Sequence, residues 1–450
     1  MVPEKFDLIV IGTGPAGYPI AVQCREAGLK VAAADEEFGG TCAIKGCTPK
    51  KVLATAAEIL HHAHHLKSTG IASPPASLDW ASLVNFKRSF TDLVSYNTKN
   101  SLREQDIAFF KGKACFVGRH EVQVGNTTLR ADKIVIATGA RPVDLPIEGK
   151  EYLYTSEDFM ESDTLPPEII FVGGGYVAFE LAHIAAMAGA KVTILEKDNV
   201  PLKNFDTALV AQLMKSLEQQ GIDIKMGAEI QKIQKRERKY VVTAKKEANI
   251  SINLEASMII NAAGRVPAIA DLDLKKADVA HDDKGVMVNE YLQSITNACI
   301  YAAGDAADTP APFTPVANDD GSVVAHNIIY GNERRFDHRN MPTVLFTSPK
   351  LASVGLSERE AVQKKLDVTV NEGDSSTWLI SKSLGEKTSA YKILIDKQSG
   401  QIVGAHILHP KADEMINFLA LAVHTRIKAE DIKHILLAFP TATKEIQSML

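Results

Sequence analysis

FDLIVIGTGPAGYPIAVQCREAGLKVAAAD, residues 6 to 35, decides the architecture. Residues 6 to 11 are mostly apolar and β-branched, as in a buried strand. Gly12, Gly14 and Gly17 follow in GxGxxG spacing, with Pro15 and Ala16 inside the turn. A helical stretch comes next, and a second strand ends at Asp35. Such glycines make a tight turn and let the backbone approach a pyrophosphate, which the helix N-terminus then faces. An acid at the end of the second strand is placed to bond an adenosine ribose. A lone GxGxxG is only a glycine-rich turn; here strand, helix, second strand and acid agree on a dinucleotide-binding unit.

The pattern returns in EIIFVGGGYVAFELAHIAAMAGAKVTILE, residues 168 to 196. Gly173, Gly175 and Ala178 hold the three small positions, Tyr176 and Val177 stand between them, and Glu196 ends the second strand. Two dinucleotide sites in one chain imply two nucleotides, one donating electrons to the other.

Between the two units lies KIVIATGARP, residues 133 to 142, and after the second comes MIINAAGRVP, 258 to 267. Both read as connections between nucleotide domains. CIYAAGDAAD, 299 to 308, is a strand running into Gly304-Asp305, where an acid after a small-residue turn can bond a polyol chain. Beyond Pro342 the pattern alternates like antiparallel strands, and ADEMINFLALAVHTRI reads as an amphipathic helix. GIASPPAS, 70 to 77, reads as a loop within the first domain.

The chain of 450 residues is long enough for several domains, with 45% hydrophobic and 23% charged residues, as in an ordinary soluble protein. A net charge of -5 gives no reason to expect a nucleic-acid or anionic-membrane partner. No apolar run reaches the ~18 residues of a membrane span, and the N-terminus runs into a strand without a signal-peptide pattern. An odd count of five cysteines does not fit a secreted disulfide framework, so a cytoplasmic setting is expected. In such a setting a close cysteine pair points to catalysis or metal binding.

That pair is in GGTCAIKGCTPKK, residues 39 to 51. Residues five apart in a regular helix are separated by ~7.5 Å along the axis, whereas a disulfide needs Cα atoms about 4.4–6.8 Å apart. Cys42 and Cys47 are therefore expected outside one regular helix. Gly46 loosens the turn, and Pro49 suits the first turn of a helix starting just after Cys47, whose dipole favours a thiolate. A zinc site at the pair lacks nearby ligands, and no metal site is assigned. On the following helix, EILHHAHHLK (58 to 67) puts His61 and His65 on one face, and likewise His61 and His64. They could bind a metal or supply a base; the plainer reading is a solvated helix end.

In order, the first nucleotide fingerprint, GGTCxxxGCxPxK, ATGARP, the second fingerprint, AAGD and LASVGLSE resemble the class I pyridine nucleotide–disulfide oxidoreductases, the family of glutathione reductase, dihydrolipoamide dehydrogenase and mercuric reductase. The resemblance covers essentially the whole chain. It implies an α/β fold with two nested Rossmann-like domains and a C-terminal α+β dimerisation domain. The FAD domain is expected at 1 to 150 and 266 to 341, the NAD(P) domain at 151 to 265, and the interface domain at 342 to 450. It implies FAD, NADPH or NADH, a homodimer, and a small-molecule electron acceptor. By this resemblance Cys47 is the flavin-side thiol and Cys42 the interchange thiol that attacks the acceptor. Lys51 matches a lysine near the flavin, partnered by Glu180, and Tyr176 gates the nicotinamide pocket. Cofactor contacts are expected from Gly12, Gly14, Pro15, Ala16, Gly17, Asp35, Gly40, Thr41, Lys51, Ala114, Thr138, Gly139, Arg141, Gly264, Gly304, Asp305, Thr314, Pro315, Val316 and Ala317. Nicotinamide nucleotide contacts are expected from Gly173, Gly175, Tyr176, Val177, Glu196, Lys197 and Lys203. Glu196 suits a free ribose hydroxyl and so NADH; Lys197 and Lys203 stand where the family binds a 2′-phosphate, and with Ala178 tilt the expectation to NADPH.

The chain departs from the family at AFPTATKE, 438 to 445, where disulfide reductases carry HPTxxE. Phe439 occupies the histidine position, Lys444 the glutamate position, and Glu445 falls one residue late. A positioned acid–base group is worth about 10²–10⁴-fold. The expected acceptor is therefore a small disulfide or an electrophile needing less acid–base help. Direct reduction of quinones or nucleotides from the flavin, as in a diaphorase or transhydrogenase, is the alternative, and a flavin redox sensor without turnover is the third reading.

Overall fold

The computed structural model describes residues 3–70, 77–246, 250–309 and 312–450. Most of the loop read at 70 to 77 lies outside the described residues. The chain divides into two compact units.

The first comprises residues 1–50, 85–143 and 264–338. Its seven-stranded sheet runs Ala108–Lys111, Val31–Asp35, Glu4–Ile11, Thr127–Ile136, Glu121–Val124, Ala114–Gly118, with Ile300–Ala302 also on Thr127–Ile136. Glu4–Ile11 pairs in parallel on both sides, Leu8 opposite Val31 and Ile9 opposite Ile134. A parallel strand is covered on both faces, which is why residues 8 to 11 are continuously apolar and fully buried rather than alternating. Truncating one such side chain, as in Ile9→Ala, would cost about 2–5 kcal/mol. The expected connections are resolved in detail: Ala140–Pro142 pairs antiparallel with Arg265–Pro267 in this unit, whereas Met258–Asn261 belongs to the other.

The second unit comprises residues 51–84, 144–263 and 339–450. Four parallel strands, in the order Ile222–Lys225, Lys191–Leu195, Glu168–Val172, Met258–Asn261, form its nucleotide-type sheet. A three-stranded antiparallel sheet is formed by Glu229–Arg236, Lys239–Lys245 and Ser251–Ala256. The C-terminal region forms five antiparallel strands ordered Thr343–Leu345, Lys350–Gly355, Ile402–His409, Ala390–Asp396, Val368–Asp374, and helix Ala412–His424 packs on them through Met415, Ile416 and Leu419.

Residues 51–84, read from sequence as part of the first domain, cluster with this second unit. The cause is packing: Leu53, Ala54 and Ala57 share one core with Phe171, Phe179, Leu345 and Leu351. A polar tie joins the nucleotide-type and C-terminal parts as well. Asp206 caps helix Thr207–Gln219 by accepting from the Ala208 and Leu209 amides, and pairs with the buried Lys392 ammonium at 3.0 Å. Removing Lys392 would strand the buried Asp206 carboxylate, a change that typically costs about 3–5 kcal/mol, whereas removing Asp206 leaves the ammonium with Glu358 at 3.2 Å and Glu372 at 3.4 Å. No helix among the described residues is long and apolar enough to cross a membrane.

Candidate active site

The cysteine segment folds as its spacing demands. Helix Gly40–Ile44 carries Cys42, the helix breaks at Lys45 and Gly46, and helix Cys47–His65 begins with the second cysteine. A Cβ on Gly46 would lie 3.0 Å from the Thr41 carbonyl oxygen, so the break is as tight as glycine allows. The two sulfurs converge on a residue far along the chain. Thr314 Oγ1 donates to Cys42 Sγ at 3.1 Å and lies 3.4 Å from Cys47 Sγ. A hydrogen bond with the Cys47 sulfur, reinforced by burial, pushes the Cys42 thiol well above its ordinary range, while Thr314 pulls it down. The pair thus favours the proton on Cys42. Both cysteines are thiols here.

This segment sits against the first glycine turn. A Cβ on Gly40 (φ +75°) would come 2.4 Å from Gly14 Cα, and one on Gly12 (φ +101°) 2.2 Å from the Ala137 carbonyl oxygen. Gly12 and Gly40 are thus fixed by close backbone approach. Asp35 Oδ2 accepts from the Thr13 amide at 2.6 Å and from Thr13 Oγ1 at 2.7 Å, fastening the turn to the end of the second strand. Gly304 brings the expected residues Ala16 and Ala317 together, since its Cβ position lies within 3.4 Å of both their methyls. Burial raises the Asp305 carboxyl above its usual range, against the pull of Arg265. Thr138 Oγ1 is buried without a hydrogen-bond partner among the described residues. A polar atom buried this way is normally satisfied, so the cradle fits a ligand that supplies the missing bond.

In the other unit the second turn is built alike. Gly173 (φ +124°) presses on the Ala262 carbonyl oxygen, while a Cβ on Gly175 would meet nothing within 4 Å, leaving the approach to the helix Tyr176–Met187 open. Glu196 is buried beneath this turn, and its Oε1 accepts from the Asp198 amide at 2.7 Å. Lys203 Nζ pairs with Asp198 Oδ2 at 2.5 Å, and Lys197 is exposed. Lys51 and Glu180 meet at Phe346. The Lys51 ammonium lies 4.2 Å from the ring centroid, and the buried Glu180 carboxylate accepts from the Phe346 amide at 2.8 Å. Lys51 also pairs with Asp413 at 3.6 Å.

At the C-terminus Phe439 is 76% exposed and Leu436 fully so. Lys444 Nζ bonds Gln447. Glu445 turns inward: its Oε1 accepts from the Ile380 amide at 3.1 Å, and Oε2 lies 3.4 Å from Nε2 of the buried His409.

Several of these partners were not singled out in the sequence. Thr13 carried a signal, as the one hydroxyl inside the fingerprint; Arg265, Phe346 and Asp413 carried none. One reading is corrected. The histidine run at 61 to 65 is not simply a solvated helix end: His61 is only 2% exposed, because Glu386 closes over it.

The pyridine nucleotide-disulphide oxidoreductase model matches residues 6–321, and the dimerisation-domain model of the same name matches 341–450. The chain is 31% identical over 446 residues to a glutathione reductase of Burkholderia cepacia, covering 99% of this chain and 98% of that one. A mercuric reductase of Staphylococcus aureus is 31% identical over 433 residues, covering 95% and 78%. Among solved structures, a Cu(II) complex of a cysteine-to-serine mutant of RclA, the HOCl-induced flavoprotein disulfide reductase of Escherichia coli, superposes with a TM-score of 0.89 at 26% identity, covering 99% of both chains. Fold and thiol site define a flavoprotein oxidoreductase. The chain belongs to the pyridine nucleotide–disulfide oxidoreductase family and is an FAD-dependent enzyme of that class.

Proposed function

We propose that this enzyme uses NADPH, or less readily NADH, to reduce a small disulfide or another small electrophile through the Cys42–Cys47 pair. The observation that carries this reading is the convergence of both sulfurs on Thr314 Oγ1. FAD, when bound, relays an electron pair between the nicotinamide and the disulfide. Gly12, Gly14, Gly17, Asp35, Thr138, Gly304 and Asp305 would hold it in the first unit; Gly173, Gly175, Tyr176, Lys197 and Lys203 would hold the nicotinamide nucleotide in the second. Lys51 and Glu180 would orient the reacting rings, as a pair braced on Phe346.

With both cysteines reduced, Cys42 Sγ attacks one sulfur of the acceptor and the other leaves as a thiolate. Cys47 Sγ then attacks Cys42 Sγ, re-forming the intramolecular disulfide and releasing the second thiolate. Two electrons leave the cysteines and two enter the acceptor. Phe439 cannot supply the proton that the leaving group takes up, which favours acceptors whose leaving group is stable as an anion. The relative RclA is HOCl-induced, which supports an acceptor produced under oxidant stress. The dimerisation-domain match supports a homodimer, with the exposed Leu436 and Phe439 at the interface. A cytoplasmic location suits a thiol pair that must cycle through its reduced form.

The test is NADPH-dependent turnover across a panel of disulfides and small electrophiles, with Cys42→Ser beside the parent. The variant should lose at least about 10²-fold, as expected on loss of a nucleophile. Equal turnover by both proteins would overturn the dithiol route. Phe439 in place of an acid–base group favours one competing reading, direct reduction of quinones from the flavin. That reading predicts quinone turnover untouched by Cys42→Ser.

A further inference from the structure

The histidines near the end of helix Cys47–His65 are used unequally. His61 Nε2 lies 3.0 Å from Glu386 Oε2, and both residues are 2% exposed. Glu386 Oε1 is held by the Thr388 amide at 3.0 Å, which fixes the carboxylate. His65 lies one helical turn beyond His61 on the same face. Its ring packs edge-on against that of His61, with centroids 4.2 Å apart. His65 Nδ1 is buried without a hydrogen-bond partner among the described residues. One ligand atom from each of the three side chains lies within 4.8 Å of the other two.

A histidine–glutamate hydrogen bond accounts for His61. It does not account for a second imidazole, with an orphaned nitrogen, brought to the same carboxylate; a buried polar atom without a partner calls for one. We propose that His61, His65 and Glu386 form a binding site for a divalent d-block cation, with Zn2+ the fitting ion. Two imidazoles and one carboxylate are a donor set suited to zinc. Bonds of about 2.0–2.2 Å put the ligand atoms of a tetrahedral site about 3.3–3.6 Å apart, so small side-chain rotations close the set. The ion replaces the proton that His61 Nε2 and Glu386 Oε2 share. A water or a substrate atom takes the fourth position, reached past the half-buried His65.

The protonation states agree with this geometry. Burial, then the neighbouring His61, lowers the His65 imidazole below its ordinary value, so it is neutral and able to bind. Burial pushes the Glu386 carboxyl up, but the His61 hydrogen bond and charge outweigh it and keep it below its ordinary value. His183, whose ring centroid lies 6.1 Å from that of His61, is held neutral by complete burial and adds no repelling charge. Bound metal would pin helix Cys47–His65 to the segment entering strand Ala390–Asp396. The site is independent of the acceptor proposed above.

The experiment uses FAD-loaded protein carrying Cys42→Ser and Cys47→Ser, so that the redox pair cannot bind metal. After chelator treatment and desalting, Zn2+ is titrated in competition with a chromophoric chelator, and Co2+ is added separately to read the visible spectrum. The expected result is one Zn2+ per chain and a Co2+ spectrum without a thiolate charge-transfer band. His65→Gln, at the half-buried position, should weaken binding by at least the ~10–100-fold that loss of an outer-shell partner typically costs, with Glu386→Gln as the second variant and circular dichroism as the check on folding. Absence of stoichiometric binding, or folded variants that both bind like their parent, would overturn the site.

Discussion

Thr314 Oγ1 donates a hydrogen bond to Cys42 Sγ at 3.1 Å, and so holds the more buried of the two thiols from a helix that starts at that same threonine. A hydrogen bond to an anionic sulfur is worth about 1.5–3 kcal/mol. Thr314→Val keeps the shape and removes the donor. We expect the reduced variant to transfer electrons to a disulfide about tenfold more slowly, while reduction of the enzyme by NADPH keeps its rate. Stopped-flow measurement of the two half-reactions separates them. A variant slowed equally in both would show that Thr314 acts only through packing.

Cys42 predicts a pH profile. Its thiol is raised above the ordinary range by the Cys47 hydrogen bond and by burial, so its thiolate is scarce at neutral pH. Attack on the acceptor requires the thiolate. The rate at which pre-reduced enzyme consumes a disulfide should therefore climb by up to about tenfold per unit from about pH 6 to 9, without the plateau that a histidine base would impose. A bell-shaped profile centred near neutrality would reveal a replacement base.

The proposed preference for NADPH turns on two exposed lysines. Lys203 is partly neutralised by Asp198 at 2.5 Å, and a 2′-phosphate would have to draw it away. Lys197→Ala with Lys203→Ala should raise the KM for NADPH about tenfold, about one exposed charge-assisted contact, and leave that for NADH within about twofold. Glu196→Ala should do the reverse and weaken NADH. Unchanged KM values for NADPH in the lysine variant would remove the preference.

His183 makes stability depend on pH. Complete burial lowers its pKa from 6.5 to about 3. Between those values the unfolded chain binds a proton that the folded chain refuses, so stability is full above 6.5 and falls as the pH drops. The slope approaches about 1.4 kcal/mol per pH unit from this residue. Urea midpoints at several pH values should show the loss, and His183→Leu should flatten it.

The legible parts of the sequence were those set by local chemistry. Gly12 and Gly173 announce turns that no side chain could enter, and the five-residue spacing of Cys42 and Cys47 forces a helix break between them. What stayed hidden depends on partners distant along the chain. Thr314 reaches Cys42 across 272 residues, and Glu386 reaches His61 across 325. No periodicity encodes such pairs; they exist because strand Ile300–Ala302 joins an N-terminal sheet and because Leu53 and Ala57 pack with Leu345 and Leu351. The same distance kept Phe346 out of view, since nothing in TVLFTSP marks the amide that Glu180 binds.

The interval between Cys47 and Thr314 also has a meaning in time. The two are 267 residues apart, and strand Ile300–Ala302, last to join the first sheet, lies just before Thr314. At roughly 5–20 residues per second, a ribosome makes Cys47 about 13–53 s before it makes Thr314. Throughout that interval both sulfurs lack the hydroxyl on which they later converge. The downward pull of Thr314 on the Cys42 thiol is thus a property of the finished fold alone, acquired only after more than half of the chain has followed the cysteines out.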